Sequence, residues 1–234
     1  MTTQLPLDLP HRTALGRADF LVSDSNAIAV GWIDRWPVWP SQALVVYGAA
    51  GCGKTHLAHL WRERASSVFV TGPTLSEEEV RRLVAEGQHQ IVVDDADRVC
   101  ERALLHLHNW CLEGKGNILM TARRPPASWA FVLNDLGSRL RAAVAIEIGP
   151  PDDALLGAVL VKHFADRQVR VRPELVLFLV RHIERSFAAA ADIVDRLDAA
   201  SLREGRAIST RLARELLAER GNHVRPPDND LGVS

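Results

Sequence analysis

The sequence predicts an α/β protein with a five-stranded parallel sheet flanked by helices, followed by a small all-helical domain. Up to residue 149, short apolar runs rich in β-branched residues alternate with stretches of helical periodicity, which is typical of a parallel sheet with crossover helices. Beyond residue 150, apolar residues recur only at helical spacing. The change of pattern at Gly149-Pro150-Pro151 therefore predicts a domain boundary.

Five strands are predicted in the first part of the chain. They are Ala43–Tyr47, Ser67–Val70, Gln90–Asp94, Asn117–Thr121 and Val144–Ile148. Their apolar residues run continuously instead of alternating with polar ones. We therefore expect helices to cover both faces of the sheet.

Helices are predicted before the first strand, between strands and throughout the second part. Ser25 or Asn26 is the expected N-cap of the first helix, and Ser76 with Glu79 is expected to form a capping box. The other predicted helices are Lys54–Ala65, Ser76–Ala85, Glu101–Glu113, Ala154–Ala165, Pro173–Ile183, Phe187–Leu202 and Ser209–Ala218.

The domain organisation follows from these elements. Four segments are predicted: an extended arm (1–17), an α/β domain (18–149), a helical domain (150–219) and a polar, frayed tail (220–234). The arm contains two prolines, Pro6 and Pro10, and no helical periodicity, which favours an extended form.

Composition excludes several classes of protein. The chain has 234 residues, 28 Lys+Arg against 29 Asp+Glu and a formal net charge of -1, so no general cationic field attracts it to DNA or anionic lipid. Any contact with DNA is expected to be local or indirect. Its three cysteines are scattered without metal-site spacing, and no apolar run approaches the ~20 residues of a membrane span. These features predict a cytoplasmic protein without a membrane partner.

One segment predicts a phosphate-binding loop. It matches the pattern G-x-x-x-x-G-K-[ST] through Gly48, Ala49, Ala50, Gly51, Cys52, Gly53, Lys54 and Thr55, with His56 next in the helix. The match lies directly after a predicted strand and before a predicted helix, as the motif requires. Backbone N–H groups would then cradle phosphate oxygens, Lys54 would reach the β- and γ-phosphates, and Thr55 would ligate Mg²⁺. The expected ligand is ADP or ATP.

A second motif ends the third predicted strand, Ile91-Val-Val-Asp94-Asp95. A buried strand of this kind delivers a carboxylate to the metal of a phosphate-binding loop. Asp94 is expected to hold Mg²⁺ through water, and Asp95 to orient or deprotonate an attacking water. The alternative is that both acids merely cap the next helix.

With these motifs the chain resembles the AAA+ ATPases, and more narrowly the DnaA-related family that includes Hda, over nearly its whole length. The residues that carry the resemblance are Asp19-Phe20-Leu21-Val22 with Ser25-Asn26 on the adenine side, Gly48–Thr55, Asp94-Asp95, Met120–Pro126 and Leu136–Leu140. The resemblance implies a helical lid domain, a sensor role for Thr121 on the γ-phosphate side, and an arginine finger at Arg139 that acts on nucleotide in a neighbouring subunit. From the residues alone, Arg139 is simply a cation on a predicted helix near Asp135 and Arg141, and the alternative is a solvated surface arginine.

The chain departs from the family at the sensor II arginine. The family's arginine is expected on the helix that begins near Arg185, but the sequence there is alanine-rich and Arg196 lies further along. Turnover by this chain itself is therefore less expected than binding of nucleotide as an ordering ligand.

The arm carries a further motif, Gln4-Leu5-Pro6-Leu7-Asp8-Leu9. It resembles the segment by which Hda and other proteins bind the replicative sliding clamp, and that resemblance implies partner-binding roles for Gln4, Leu5, Leu7 and Leu9. An extended peptide with alternate apolar side chains suits a groove on a partner. The alternative is that the arm folds back on its own domain.

Three functions follow from these patterns. The first is a negative regulator of replication initiation that docks on the DNA-loaded clamp and promotes hydrolysis of ATP held by the initiator DnaA through Arg139. The second is an autonomous ATPase, acting as a helicase loader or remodeller, that uses Asp95 as base and Arg139 within a homo-oligomer. The third is a scaffold in which nucleotide only stabilises the fold and the arm recruits a partner.

Overall fold

The computed structural model describes residues 21–221, with side chains up to residue 218. The predicted arm with Gln4, Leu5, Leu7 and Leu9, the residues Asp19 and Phe20, and the predicted tail beyond residue 221 lie outside the described residues. The chain divides into two compact units after Leu155. The boundary expected at residue 149 remains a prediction.

The first unit contains the predicted five-stranded parallel sheet. Its strands are β1 (Ala43–Tyr47), β2 (Val68–Thr71), β3 (Gln90–Asp94), β4 (Asn117–Ala122) and β5 (Val144–Glu147). They are hydrogen-bonded in the order β2-β3-β4-β1-β5, and every pairing is parallel. All carboxyl ends therefore meet at one edge of the sheet. That edge carries the segments predicted to bind nucleotide.

Four predicted strand boundaries are wrong by one residue, and two of them belong to the second strand, which ends at Thr71 and not at Val70. The second strand begins at Val68 because Ser67 N–H still bonds Arg62 O at 3.0 Å and so belongs to the end of the preceding helix. The fourth extends to Ala122, which pairs with Tyr47. The fifth ends at Glu147, one residue early.

Helices lie on both faces of the sheet, as predicted. The helices of this unit are α1 (Ala27–Asp34), α2 (Lys54–Ala65), α3 (Glu77–Ala85), α4 (Glu101–Glu113) and α5 (Asn134–Ala142). Alternate sheet residues face the two cores. Val45 and Met120 pack in the core with α3, α4 and α5, whereas Val46 and Leu119 pack in the core with α1 and α2. Burial on both faces holds for β1, β3 and β4, but β2 and β5 are edge strands and are partly exposed.

Two predicted helix caps form differently from expectation. Asn26 occupies the N-cap position of α1 without bonding the helix, because its side chain accepts from Ser23 N–H and donates to Leu21 O. Ser76 caps α3 by accepting from Glu79 N–H at 3.2 Å. In a capping box the Glu79 carboxylate would also accept from Ser76 N–H. It accepts from the Arg82 guanidinium instead.

A tryptophan cluster joins α2 to the segment before β1. Trp39 stacks on Trp61 with ring centroids 5.4 Å apart, and Trp36 meets the same ring edge-on at 6.1 Å. Trp36 also donates its indole N–H to Asn117 Oδ1 at 3.1 Å. These contacts bury the fully enclosed Trp61 ring in the core of α1 and α2.

The second unit is all-helical within the described residues, as predicted. Its helices are α6 (Asp153–Asp166), which begins just before the division, α7 (Pro173–His182), α8 (Phe187–Glu204) and α9 (Thr210–Gly221). Leu160, Phe164, Leu179, Val194 and Leu212 belong to its core. No helix among residues 21–221 is long and apolar enough to cross a bilayer.

Candidate functional site

The loop from Gly48 to Gly53 joins β1 to α2 at the carboxyl edge of the sheet. Gly48 must lack a side chain because a Cβ there would lie 2.3 Å from Ile148 O of the neighbouring segment. Gly53 precedes α2 in the left-handed region with φ 96°, which a side chain disfavours. The first N–H groups of α2 have no partner within a helix, so the loop presents donors and the positive end of the helix dipole.

Lys54 lies inside this loop. Its side chain is buried with 7% exposure, and its Nζ donates to Gly48 O at 2.9 Å and Ala49 O at 2.7 Å. The Cys52 Sγ lies 3.7 Å from the same nitrogen. Two carbonyl oxygens thus hold a cation where the motif requires one to meet phosphate, while His56 is exposed in the first turn of α2.

Thr55, Asp94 and Thr121 meet at the ends of α2, β3 and β4. The register that pairs Val93 with Met120 places Asp94 beside Thr121. The Thr55 hydroxyl donates to the Asp94 carboxylate, with both oxygens at 3.1 Å, and the Thr121 hydroxyl donates to Asp94 Oδ1 at 2.5 Å. The structure therefore brings together three of the predicted site residues.

The pair Thr55 and Asp94 fits the predicted magnesium ion. Mg²⁺ prefers oxygen ligands in an octahedron with bonds of about 2.0–2.1 Å, so adjacent ligand oxygens are about 3 Å apart. The hydrogen bond of 3.1 Å between the Thr55 hydroxyl and the Asp94 carboxylate shows that two oxygen groups of this kind lie together at the loop. Thr55 would be a direct ligand, and Asp94 an acceptor for metal-bound water. These two residues would hold the ion together with water and phosphate.

Asp95 is held by its backbone more than by its side chain. Its φ of 54° and ψ of 47° are left-handed, and its side chain does not cap the turn that follows. Its N–H donates to Thr121 Oγ1 at 3.0 Å. Thr121 thus accepts from one acidic residue and donates to the other. The alternative that the two acids serve as helix caps is not what this geometry favours.

Gly72 is a residue that sequence reasoning missed. It follows β2, and a Cβ at this position would lie 2.2 Å from Asp95 O. The left-handed turn of Asp95 therefore packs directly against the backbone after β2. The Gly72-Pro73 pair after a strand was the available signal in the sequence.

Arg139 lies on α5 and is paired with Asp135 one turn earlier. Its Nε donates to Asp135 Oδ1 at 2.9 Å, and its side chain is 36% exposed. The hydrogen bond raises the pKa of Arg139 and lowers the pKa of Asp135. The guanidinium borders an open groove of about 400 Å³ whose lining includes Gln42 and His108.

Arg139 lies at the edge of the sheet opposite the phosphate loop. Its groove is lined by Gln42 and Ala43, at the amino end of β1, whereas the loop begins at Gly48. A five-residue strand separates the two, and such a strand is about 16 Å long. The structure therefore does not bring Arg139 together with Lys54, Asp94, Asp95 and Thr121.

Comparisons with known proteins agree with this arrangement. The family model described as "Hda, lid domain" matches residues 153–217. The chromosomal replication initiator protein DnaA of Thermomicrobium roseum is 26% identical over 229 aligned residues, covering 86% of this chain and 48% of the relative. The chain thus spans about half the length of the curated relative. Domain III of DnaA from Thermotoga maritima matches with a TM-score of 0.71, 16% identity and coverage of 88% of this chain and 95% of that one. The chain is thus similar to DnaA-related AAA+ proteins, and its residues 153–217 match the lid domain of Hda.

A second solved relative supports the AAA+ fold. AMPPCP-bound DnaA from Aquifex aeolicus matches with a TM-score of 0.65 and 15% identity, covering 84% of this chain and 68% of that one. The fold shared with these relatives confirms the predicted fold class, including the helical lid.

The first arginine within α8, the helix expected to carry the sensor II arginine, is Arg196, and its side chain packs within the lid. Arg196 lies on α8, where its Nη2 donates to Leu216 O of α9 at 2.7 Å and its Nη1 lies 3.8 Å from Asp192 Oδ2. Arg185 precedes Ser186, which caps α8 by accepting from Ala189 N–H at 3.1 Å. The guanidinium of Arg196 therefore joins α8 to α9.

Glu101 fixes the start of the helix that carries Arg139. The N-cap residue of α5, Leu133, has no polar side chain to cap the helix. The Glu101 carboxylate, at the start of α4, accepts instead from Val132 N–H at 3.0 Å and Leu133 N–H at 2.7 Å. Glu101 lies 31 and 32 positions before the two residues that it binds, so no local sequence pattern indicates this cap.

Replacing Glu101 with alanine is expected to lower the free energy of unfolding by about 1–2 kcal/mol, because it removes a charged acceptor from the N–H groups of Leu133, the N-cap residue of α5, and of Val132 before it. Urea denaturation followed by circular dichroism measures the loss. Glu101→Gln keeps a carbonyl acceptor and should lose less. Glu113→Ala is the control, because Glu113 is the exposed last residue of α4, the helix that Glu101 begins. This variant should stay within about 0.5 kcal/mol of the wild type. Equal losses in the Glu101→Ala and Glu113→Ala variants would contradict the capping role.

Proposed function

We propose that this chain is a negative regulator of chromosomal replication initiation that promotes hydrolysis of ATP bound to DnaA. It binds ADP or ATP itself, docks on the DNA-loaded sliding clamp through Gln4–Leu9, and offers Arg139 to the nucleotide of DnaA. The observation that carries this proposal is the position of Arg139 at the amino edge of the sheet, away from its own phosphate loop. An arginine there serves nucleotide on another protein.

Nucleotide binding is supported by the geometry of the loop. Lys54 is already stationed inside it, and α2 begins directly behind it. Thr55 and Asp94 would hold Mg²⁺, and the ion when bound neutralises charge between the β- and γ-phosphates. A DnaA relative was solved with AMPPCP bound, which supports the same class of ligand here.

Hydrolysis by the chain alone is expected to be slow. Arg139 lies too far from its own loop to stabilise charge on a phosphoryl group there, and Arg196 is engaged within the lid. Bound nucleotide then acts mainly by stabilising the folded state. Asp95 and Thr121 are the residues that would orient water and contact the γ-phosphate side if the chain turned over ATP.

Stimulation in trans requires only positioning and one added positive charge. An arginine finger stabilises the charge of the transferring phosphoryl group and raises the rate by about 10³-fold or more. The clamp on DNA would hold the regulator close to its target, which increases the local concentration without a DNA-binding surface on this near-neutral chain. We place this activity in the cytoplasm.

Hydrolysis by ATP-loaded DnaA is the measurement that tests the proposal. It should rise when this protein and DNA-loaded clamp are added together, and it should not rise with the Gln4→Ala/Leu5→Ala double variant. Thr13→Ala, in the arm but outside the motif, is the matched control and should keep full stimulation. Strong turnover by the purified chain alone, with no effect on DnaA, would favour the autonomous ATPase, in which Arg139 serves a second copy of the chain.

A further inference from the structure

Asp135 binds Arg139 through one particular nitrogen. The hydrogen bond of 2.9 Å uses Nε, at the side of the guanidinium. Within residues 21–221 the two terminal nitrogens of Arg139 have no hydrogen-bond partner. An arginine has five N–H donors in a planar fork. A contact at Nε therefore fixes the plane of the group while its outer edge remains available to an anion.

The second arginine of α5 is arranged differently. Arg141 lies over the Phe131 ring, with its guanidinium carbon 5.3 Å from the ring centroid. Two positions along a helix correspond to a rotation of about 200°, so the two side chains leave opposite faces. Only Arg139 is paired with an acid at i−4. The ion pair is thus specific to the arginine that borders the groove.

The groove around Arg139 limits where its side chain can go. His108 of α4 lines this groove with 7% exposure. Burial, and secondly the charge of Arg139, lower the pKa of the His108 imidazole, so that the ring is neutral near pH 7 and does not repel the guanidinium. Trp39 and Leu112 line the same groove. Besides His108, the titratable group that faces Arg139 is Asp135.

The exposure of the pair argues against a role in stability. The side chains of Arg139 and Asp135 are 36% and 57% exposed, and exposed ion pairs contribute little to folding because solvent screens them. What such a pair does change is the freedom of a long side chain. A flexible arginine loses rotamer entropy when it meets its target, and an arginine that is already held loses less.

We infer that Asp135 is the positioning residue of Arg139, holding its guanidinium through Nε so that the terminal nitrogens are presented to a phosphoryl group on the partner. This inference rests on the proposed function of Arg139. It assigns Asp135 no contact with nucleotide. Its effect is expected in the rate of the stimulated step, because misplacement of a charged group weakens its interaction with the transition state more than it weakens docking.

Three substitutions at position 135 test the inference in the DnaA hydrolysis assay with DNA-loaded clamp. Asp135→Ala should lower the maximal stimulated rate by about tenfold, with the half-saturating concentration of the chain unchanged. Asp135→Asn keeps an acceptor oxygen at the same distance and should recover most of the rate. Asp135→Glu keeps the charge but moves the carboxylate, and should recover less than Asn.

Glu79→Ala is the matched control, because it removes the acid from another exposed pair, Glu79 with Arg82 on α3. It should leave stimulation unchanged, and urea midpoints should show that every variant folds. If Arg139→Ala is inactive and Asp135→Ala has the wild-type rate, the positioning role is wrong and the proposed function stands. If Arg139→Ala has the wild-type rate, both are wrong. A raised half-saturating concentration in all three variants would also overturn the inference, because Asp135 would then contact the partner directly.

Discussion

Replacing Arg139 with alanine is expected to lower the stimulated hydrolysis of DnaA-bound ATP by about 10³-fold. The substitution removes the one positive charge that the regulator adds to the partner's site. It should leave the affinity of this chain for its own nucleotide unchanged, because Arg139 lies across the length of β1 from the phosphate loop. Single-turnover hydrolysis of labelled ATP on DnaA, with clamp on DNA, measures the loss.

Arg141→Ala provides the control for this experiment. It removes the same charge from the same helix, but from a side chain that packs on Phe131. It should keep most of the stimulation, and clamp binding should be the same in both variants. An equal loss with Arg141→Ala would show that the helix needs general positive charge and would contradict the arginine finger. A loss of clamp binding with Arg139→Ala would contradict the division of roles between arm and finger.

The second large effect is expected at Lys54. Lys54→Ala should weaken binding of ADP and ATP by about 100-fold, or ~2.7 kcal/mol, because a buried cation that faces phosphate is removed. The loop also loses the hydrogen bonds from Nζ to Gly48 O and Ala49 O. Titration with a fluorescent adenine nucleotide measures the dissociation constant directly.

Thermal unfolding gives an independent measure of the same loss. Ligand at ~100 times its dissociation constant stabilises a folded protein by about 2.7 kcal/mol, so nucleotide should raise the Tm of the wild type and of Lys162→Ala. Lys162 lies on α6 in the lid unit, and this variant matches the change in net charge. The Tm of Lys54→Ala should respond much less, because the same nucleotide concentration then only equals its dissociation constant and stabilises the fold by about 0.4 kcal/mol. A full response would exclude the loop as the binding site.

These two experiments separate the three functions that the sequence left open. A scaffold needs the arm and the nucleotide but not Arg139, so it predicts that Lys54→Ala is harmful and Arg139→Ala is silent. An autonomous ATPase predicts that both variants lose turnover in the absence of DnaA. The trans-acting regulator predicts that Arg139→Ala affects only the partner's ATP.

The local parts of the fold were predictable because local patterns specify them. The predicted helices Lys54–Ala65 and Glu101–Glu113 match α2 and α4 at both ends. The glycine-rich loop marks the start of α2, and Gly114 marks the end of α4. Strand ends were less accurate. The second strand begins one residue later than predicted because the end of α2 keeps Ser67 in a hydrogen bond, and that bond depends on how the helix terminates.

The site was only partly predictable for a related reason. The phosphate loop and Asp94 follow from motifs, and parallel strands bring their carboxyl ends to one edge. Thr121 was expected from a family resemblance, but its double hydrogen bonding to Asp94 and to Asp95 N–H depends on the register between β3 and β4. Gly72 matters only because the Asp95 backbone packs against it.

By itself, the sequence determined the α/β class, the helical lid, the phosphate loop and the acid at the end of β3. Only the tertiary structure decided that Glu101 caps α5, that Asp135 holds Arg139, and that Arg139 lies at the edge opposite the loop. The physical reason is range. Periodicity, capping and turn chemistry act over a few residues and are written locally, whereas the cap on α5 and the edge on which Arg139 lies depend on how whole strands and helices pack.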